Sequence, residues 1–258
     1  MGVYAYDQDW PEERRRVASM AALWDGGSQA VLERLGVGEG WRCLEVGAGG
    51  GSLASWLADC VGSSGHVLAT DINTDFMEGL ERDNLEILRH DILSDDLPAK
   101  AFDLIHARLV AEHLGTQAID RMVPALAPGG ILVLEDYDFD ASVADPPDAI
   151  NERVRAAVLG FMSSAGFDPH FGRRLLRLLE SAGLEDIGAD GQVQVYRGGS
   201  SGVEFFRLSV AALADTLVER GAVERAEVEH ALAGLADPAN VILSPAMISA
   251  WGRAPAGG

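Results

Sequence analysis

The sequence predicts an α/β fold, a doubly wound sheet with helices on both faces and further helices inserted around it. Three observations carry this expectation. From Arg42 onward short apolar runs alternate with segments of helical periodicity, the pattern of strands joined by crossover helices. The first run, Leu44-Glu45-Val46, enters a glycine-rich turn, Gly47-Ala48-Gly49-Gly50-Gly51-Ser52. The next two runs each end beside an aspartate, Asp71 and Asp91.

Taken in order, residues 12–35 read as helical, with a break expected at Asp25-Gly26-Gly27. Strands are expected at 43–46, 67–70, 85–88, 102–106 and 131–134, with helices between them at 52–61, 74–82 and 116–126. Pro128-Gly129-Gly130 supplies a tight turn into the fifth strand. After Asp145-Pro146-Pro147 come two helices, 149–165 and 172–182, the second ended by Gly183. A sixth strand is expected around 192–196 and a last one near 241–251, with two helices within 203–236 between them. That span is long for a simple connection. The division expected is an N-terminal helical cap over 1–40 and a cofactor-binding domain over 41–258, with helical insertions at about 146–183 and 201–237.

Composition narrows the function. With 40 acidic against 20 basic residues the formal charge is −20, a field that repels nucleic-acid backbones and anionic membranes. A small-molecule substrate is the expected partner, in a monomer or homodimer, with neither nucleic acid nor membrane. Cys43 and Cys60 have neither CxxC spacing nor a disulfide framework, so no metal site is expected and both read as core thiols. The N-terminal MGVYAYDQDWPEERRR has no apolar leader core and no run reaches the ~18 apolar residues of a membrane span, so a cytoplasmic location is the expectation.

The glycine-rich turn lets a ligand approach the main chain closely, yet nucleotide-dependent dehydrogenases use a GxGxxG turn in the same place. Here Ser52 occupies the position where that motif wants Gly or Ala. Asp71 is placed to accept from both ribose hydroxyls and Asp91 from an adenine amine, with Ile72 and Ile92 as apolar faces for the base. Glu45, Asp71, Asp91 and Asp103 are expected to ring the crevice with negative charge. A diphosphate dislikes such a ring, whereas S-adenosylmethionine brings a sulfonium and an ammonium.

LEVGAGGGS, ATDI, RHDI, FDLIHARLVAEHL and LAPGGILVLED, in this order over residues 42–136, resemble the successive motifs of class I S-adenosylmethionine-dependent methyltransferases. The resemblance implies a Rossmann-like seven-stranded sheet in the order 3-2-1-4-5-7-6 with the last strand antiparallel. It implies S-adenosylmethionine as cofactor, released as S-adenosylhomocysteine. It sets that cofactor over Gly47, Ala48, Gly49 and Gly51, with Glu45 beneath, Asp71 on the ribose, Asp91 and Ile92 on the adenine, and Ala107 with Arg108 at the methionine end. The segment 106–114 resembles enzymes acting on small metabolites, including quinone and natural-product methyltransferases, which implies methylation of an O, N or C nucleophile in secondary metabolism.

His113, at the start of a predicted helix, is the candidate general base, against a packing role under the cap. His106 closes a strand and reads as structural. Tyr137 and His170 are candidate substrate contacts, Tyr4 and Tyr6 candidate lid aromatics. Of Arg14, Arg15 and Arg16, the last is the one expected to turn inward to the methionine carboxylate. Two alternatives stand beside this reading. One is a nicotinamide-dependent oxidoreductase, for which no Tyr-x-x-x-Lys pair exists because Lys100 is the sole lysine. The other is a non-catalytic module that holds S-adenosylmethionine.

Overall fold

Helix α1, Glu13–Arg34, runs unbroken through the glycine pair that had suggested a break. Gly26 meets nothing within 4 Å, while a Cβ on Gly27 would fall 2.6 Å from the Gln192 side chain, so the second glycine admits a close neighbour. Packing overrides propensity here, because Leu23, Trp24, Val31 and Leu32 are all buried along one face. The computed structural model, which describes residues 6–256, then alternates strand and helix as the apolar pattern requires.

The strands β1 (Arg42–Val46), β2 (His66–Asp71), β3 (Leu85–Arg89), β4 (Phe102–Arg108) and β5 (Leu126–Asp138) are parallel and lie in the spatial order β3-β2-β1-β4-β5. Helix α2 (Ser52–Val61) follows β1, and α3 (Ala111–Leu114) with α4 (Thr116–Met122) follows β4. The expected helix at 74–82 is only a 3-10 turn, Asp75–Met77, within a loop that buries Met77. The fifth strand begins earlier than expected and carries Pro128-Gly129-Gly130 inside it, where the register with β4 shifts. A Cβ at Gly130 would meet the Phe102 carbonyl at 2.7 Å, so glycine lets the two strands close up.

Beyond β5 the chain makes β6 (Val143–Asp145), α5 (Ala149–Ser164), α6 (Leu175–Ser181), β7 (Glu185–Gln192), β8 (Val195–Arg197), α7 (Ser201–Glu219), α8 (Arg225–Ala236), β9 (Val241–Leu243) and β10 (Ala246–Arg253). β10 runs antiparallel to both β5 and β7, which completes a seven-stranded sheet, β3-β2-β1-β4-β5-β10-β7. Counting only strands of this sheet, the order is the expected 3-2-1-4-5-7-6. A second antiparallel sheet, β6-β9-β8, was not foreseen, because its strands are three residues long and carry no readable alternation.

Two apolar layers flank the main sheet. Leu44, Ile105, Leu132 and Leu134 pack with α3, α4 and α6 on one face, and Cys43, Leu104, Ile131 and Val133 pack with α1 and α2 on the other. Cys43 is buried and Cys60 only half-buried, so the core-thiol expectation holds for the first alone. Helices α5, α7 and α8 form a third cluster, joined by Tyr6, beyond the C-terminal ends of the strands. Among the described residues no helix is long and apolar enough to cross a membrane.

Candidate active site

At the C-terminal end of β1 the glycine turn takes the left-handed conformations that favour glycine, with φ of 69° at Gly47, 56° at Gly49 and 72° at Gly51. A Cβ on Gly47 would fall 2.5 Å from Val110 Cγ2, and one on Gly51 2.8 Å from Leu80 Cδ1. Asp71 holds the turn in place: its Oδ2 accepts from the Gly49 amide at 2.8 Å and its Oδ1 from the Asn73 amide at 3.0 Å. Burial raises the Asp71 pKa, and these backbone amides oppose the rise.

The turn opens into a cleft of about 310 Å³. One end is walled by Asp71, Ile72, Phe76, His90, Asp91 and Ile92, the middle by Gly47 and Gly49, and the other end by Arg16, Arg108, Glu112, His113, Tyr137 and Phe167. Ile72 is 45% exposed, an apolar face turned to the cleft beside a carboxylate. His90, which sequence reasoning missed, is buried in the wall with both ring nitrogens lacking a hydrogen-bond partner among the described residues. Its only sequence signal was its place beside Asp91, one position beyond the last residue of β3.

Several expected site residues are engaged elsewhere. Ala107 is buried in the apolar core on the far face of the sheet and does not line the cleft. Ala48 and Glu45 face a small recess under α1, and Gly51 starts α2 against Met77. Glu45 lies opposite His106 in the parallel register, so its carboxylate meets His106 Nδ1 at 3.1 Å. Asp103 sits at the opposite end of the sheet, where it accepts from the Arg42 amide at 2.8 Å. The acidic ring over the cofactor end therefore shrinks to Asp71 and Asp91. Arg16 does turn inward, but Glu13 takes its guanidinium bidentately, at 2.7 and 2.6 Å, and it stacks 4.0 Å from the Tyr6 ring. Arg108 lines the cleft while two of its nitrogens donate to Ser28 and Asp25 on α1, each at 2.7 Å. His170 lies outside the cleft, beside Asp138 and Asp140 at 3.5 and 3.6 Å, because the loop before α6 turns it away. Tyr4 lies outside the described residues.

The remaining end of the cleft gathers buried titratable groups. His113 packs against the Phe167 ring at 5.0 Å, and burial followed by the nearby Arg16 charge lowers its pKa to about 4. It is a neutral imidazole at physiological pH. Its Nε2 lies 3.8 Å from Glu112 Oε1, a wall residue not singled out in the sequence. Burial and then Asp136 raise the Glu112 pKa well above the usual range. Burial brings Asp136 to about 7, with Glu135 reinforcing the rise and the Glu112 amide, which donates to Oδ1 at 3.1 Å, opposing it. Tyr137 closes this wall, its hydroxyl accepting from Trp24 Nε1 at 2.7 Å and its amide donating to Glu112 Oε2 at 2.9 Å.

Residues 44–132 match the model of a methyltransferase domain. Over that segment the chain resembles a methyltransferase domain. That match favours methyltransferase over the dehydrogenase that the glycine turn alone left open. The chain is 32% identical to methyltransferase str2 of Strobilurus tenacellus over 159 residues, 58% of this chain and 56% of that protein. It spans about half the length of the curated relatives it matches. A phosphoethanolamine N-methyltransferase 2 of Haemonchus contortus, solved with phosphomonomethylethanolamine and S-adenosylhomocysteine, superposes with a TM-score of 0.62 at 16% identity, covering 98% of this chain and 60% of that one. The [4+2]-cyclase SpnF superposes with a TM-score of 0.54 at 22% identity, over 90% of this chain and 81% of its own. The methyltransferase fold thus also houses other chemistry, and the reaction must be argued from the site.

Proposed function

We propose that the protein binds S-adenosylmethionine along the Gly47 turn and transfers its methyl group to a small-molecule nucleophile at the His113 end of the cleft. The carrying observation is that one continuous cleft joins an end walled by two carboxylates and an apolar Ile72 to an end walled by His113 and Glu112. At the first end stand the Asp71 and Asp91 carboxylates, the unpartnered His90 nitrogens and the apolar Ile72. The residues there fit the group, because glycine main chain allows close approach and a buried imidazole without partners has donor and acceptor capacity for a purine edge.

When bound, the sulfonium supplies an electrophilic methyl and a good leaving group. The protein's part is alignment and exclusion of water, worth ~7–11 kcal/mol in the best oriented cases. Tyr137, Phe167 and Glu112 wall the acceptor end, and His113 is the proton acceptor this reading assigns. Gly47, Gly49, Asp71 and Asp91 would hold S-adenosylmethionine, which would supply the methyl group, and the His113 ring would take the acceptor's proton.

Charge argues against a phosphobase acceptor of the kind bound by the Haemonchus enzyme, since Arg16 is already paired with Glu13 and Arg108 with Asp25. The non-catalytic reading, a module that only holds the cofactor, is separated from this one by turnover with any acceptor. Calorimetry tests the cofactor first: S-adenosylhomocysteine should bind and raise Tm by mass action, and NAD should do neither. Asp71→Ala should weaken S-adenosylhomocysteine by roughly 1.5–3 kcal/mol. A preference for NAD would overturn the reading.

A further inference from the structure

We propose that a second, apolar chamber next to the cleft is the acceptor's binding site, and that the acceptor is an uncharged, elongated apolar molecule with a polar group at its far end. This rests on the methyltransferase reading above and adds the substrate class. The chamber, about 150 Å³, is enclosed by α5 (Val154, Val158, Met162), α7 (Phe206, Val210) and the small sheet (Ile242). Tyr6, Met162 and Phe205 line both the chamber and the cleft, so the two spaces meet at these three side chains. There the Tyr6 hydroxyl lies 3.4 Å from Met162 Sδ, and the Arg16 guanidinium, paired with Glu13, stacks over the Tyr6 ring.

Two features fix the ligand's chemistry. The charged side chains on the chamber wall are Glu152 and Arg155, and they pair with each other at 2.5 Å. A phosphate or an ammonium entering the chamber would lose its water and find no unpaired counter-charge, whereas an apolar body gains by leaving water. At the same place Asn151 Oδ1 and Arg155 Nε are buried with no hydrogen-bond partner among the described residues. One acceptor and one donor on the same wall suit a single hydroxyl on the distal end of the ligand, which donates to Asn151 Oδ1 and accepts from Arg155 Nε. An occupant anchored there extends past Phe205 and Met162 toward His113 on the cleft wall.

The test uses the whole chain and a neutral apolar fluorophore, N-phenyl-1-naphthylamine, with S-adenosylhomocysteine binding measured in parallel. Wild type should bind the fluorophore, and 4-alkylphenols should displace it more tightly as the alkyl chain lengthens, while phosphocholine should not displace it. Val158→Trp and, separately, Val210→Phe should weaken fluorophore binding by about tenfold or more, ~1.4 kcal/mol, with S-adenosylhomocysteine affinity within about twofold. The alkylphenol series needs no variant, so it decides even if both substitutions disturb folding. No fluorophore binding, a flat chain-length series, displacement by phosphocholine, or folded variants that bind like wild type would each overturn the chamber assignment. Loss of S-adenosylhomocysteine binding in wild type with the chamber results intact would instead sink the methyltransferase reading.

Discussion

His113 is a weak base by construction, since burial and the Arg16 charge both oppose its protonation. A weak base still assists when the proton leaves as the methyl bond forms, because the attacking oxygen grows more acidic as that bond develops. It would not suffice to strip a phenol in advance, where a pKa near the working pH serves best. His113→Gln should therefore lower the single-turnover rate by about 10²-fold, the low end of the general-base range, and leave S-adenosylhomocysteine affinity unchanged. The wild-type rate should rise with pH through about 4 and stay level above, because the neutral ring is the active form. If wild type and variant share one profile within a factor of about three, His113 only packs against Phe167. Asp71 and Asp91 could be singled out from sequence because strand periodicity puts each just past an apolar run. His90 and Glu112 could not, because each stands beside a residue already noticed and its burial is set by elements distant in the chain: Glu112 meets Asp136 only after β5 is laid beside β4.

Element by element, the pattern of apolar runs was informative where a strand is buried on both faces and silent where local composition competes with packing. Most strands of the main sheet are apolar enough to show themselves, but β7 is polar and glycine-rich, so the strand expected around 192–196 lies earlier, at Glu185–Gln192, and the three-residue strands of the small sheet are stabilised only by their partners. Helix α1 shows the competition most clearly. Its glycine pair reads as a stop, yet Trp24 before it and Val31 and Leu32 after it are buried, tying both halves to the same body. Gly26 has open space around it and a helical backbone, so it contributes only flexibility. Gly26→Ala should stabilise the fold by about 0.5–1 kcal/mol in urea unfolding, the ordinary helix-interior difference between the two residues. A destabilised variant would mean that α1 is interrupted after all. The neighbouring Gly27→Ala presses on the Gln192 side chain and should gain less.

Across the whole molecule, parallel register assembles a buried charge network that no single segment announces. Glu45 on β1 faces His106 on β4, His106 Nε2 meets Glu135 on β5 at 3.1 Å, and Ser249 on β10 donates to the same Glu135, so four adjacent strands are linked at one level. Burial works against the His106 charge, but Glu45 and Glu135 outweigh it and raise the pKa to about 9. Its stabilisation is complete below the unfolded value of ~6.5 and is lost as pH rises through 9. Asp136, raised by burial to about 7, acts in the same direction: it favours the fold while protonated and ceases to do so as pH climbs from the unfolded value of 3.8 through 7. Glu135 acts oppositely. Burial would raise it, but His106 and Arg108 bring it down to about 2, so its stabilisation is present above 4.5 and lost as pH falls through 2. These three groups together place maximum stability in mildly acidic solution, and the formal charge of −20 adds repulsion on the alkaline side. Urea unfolding at fixed ionic strength should show stability falling from pH 6 to 9 by on the order of 5 kcal/mol, taking about 1.36 kcal/mol per pKa unit. Asp136→Asn removes one of the two alkaline contributions and, because an amide oxygen can still accept from the Glu112 amide, should flatten the fall below pH 7 while leaving the His106 limb above it. A wild-type curve that is level or rising between pH 6 and 9 would show that His106 is not held as a cation between the two glutamates.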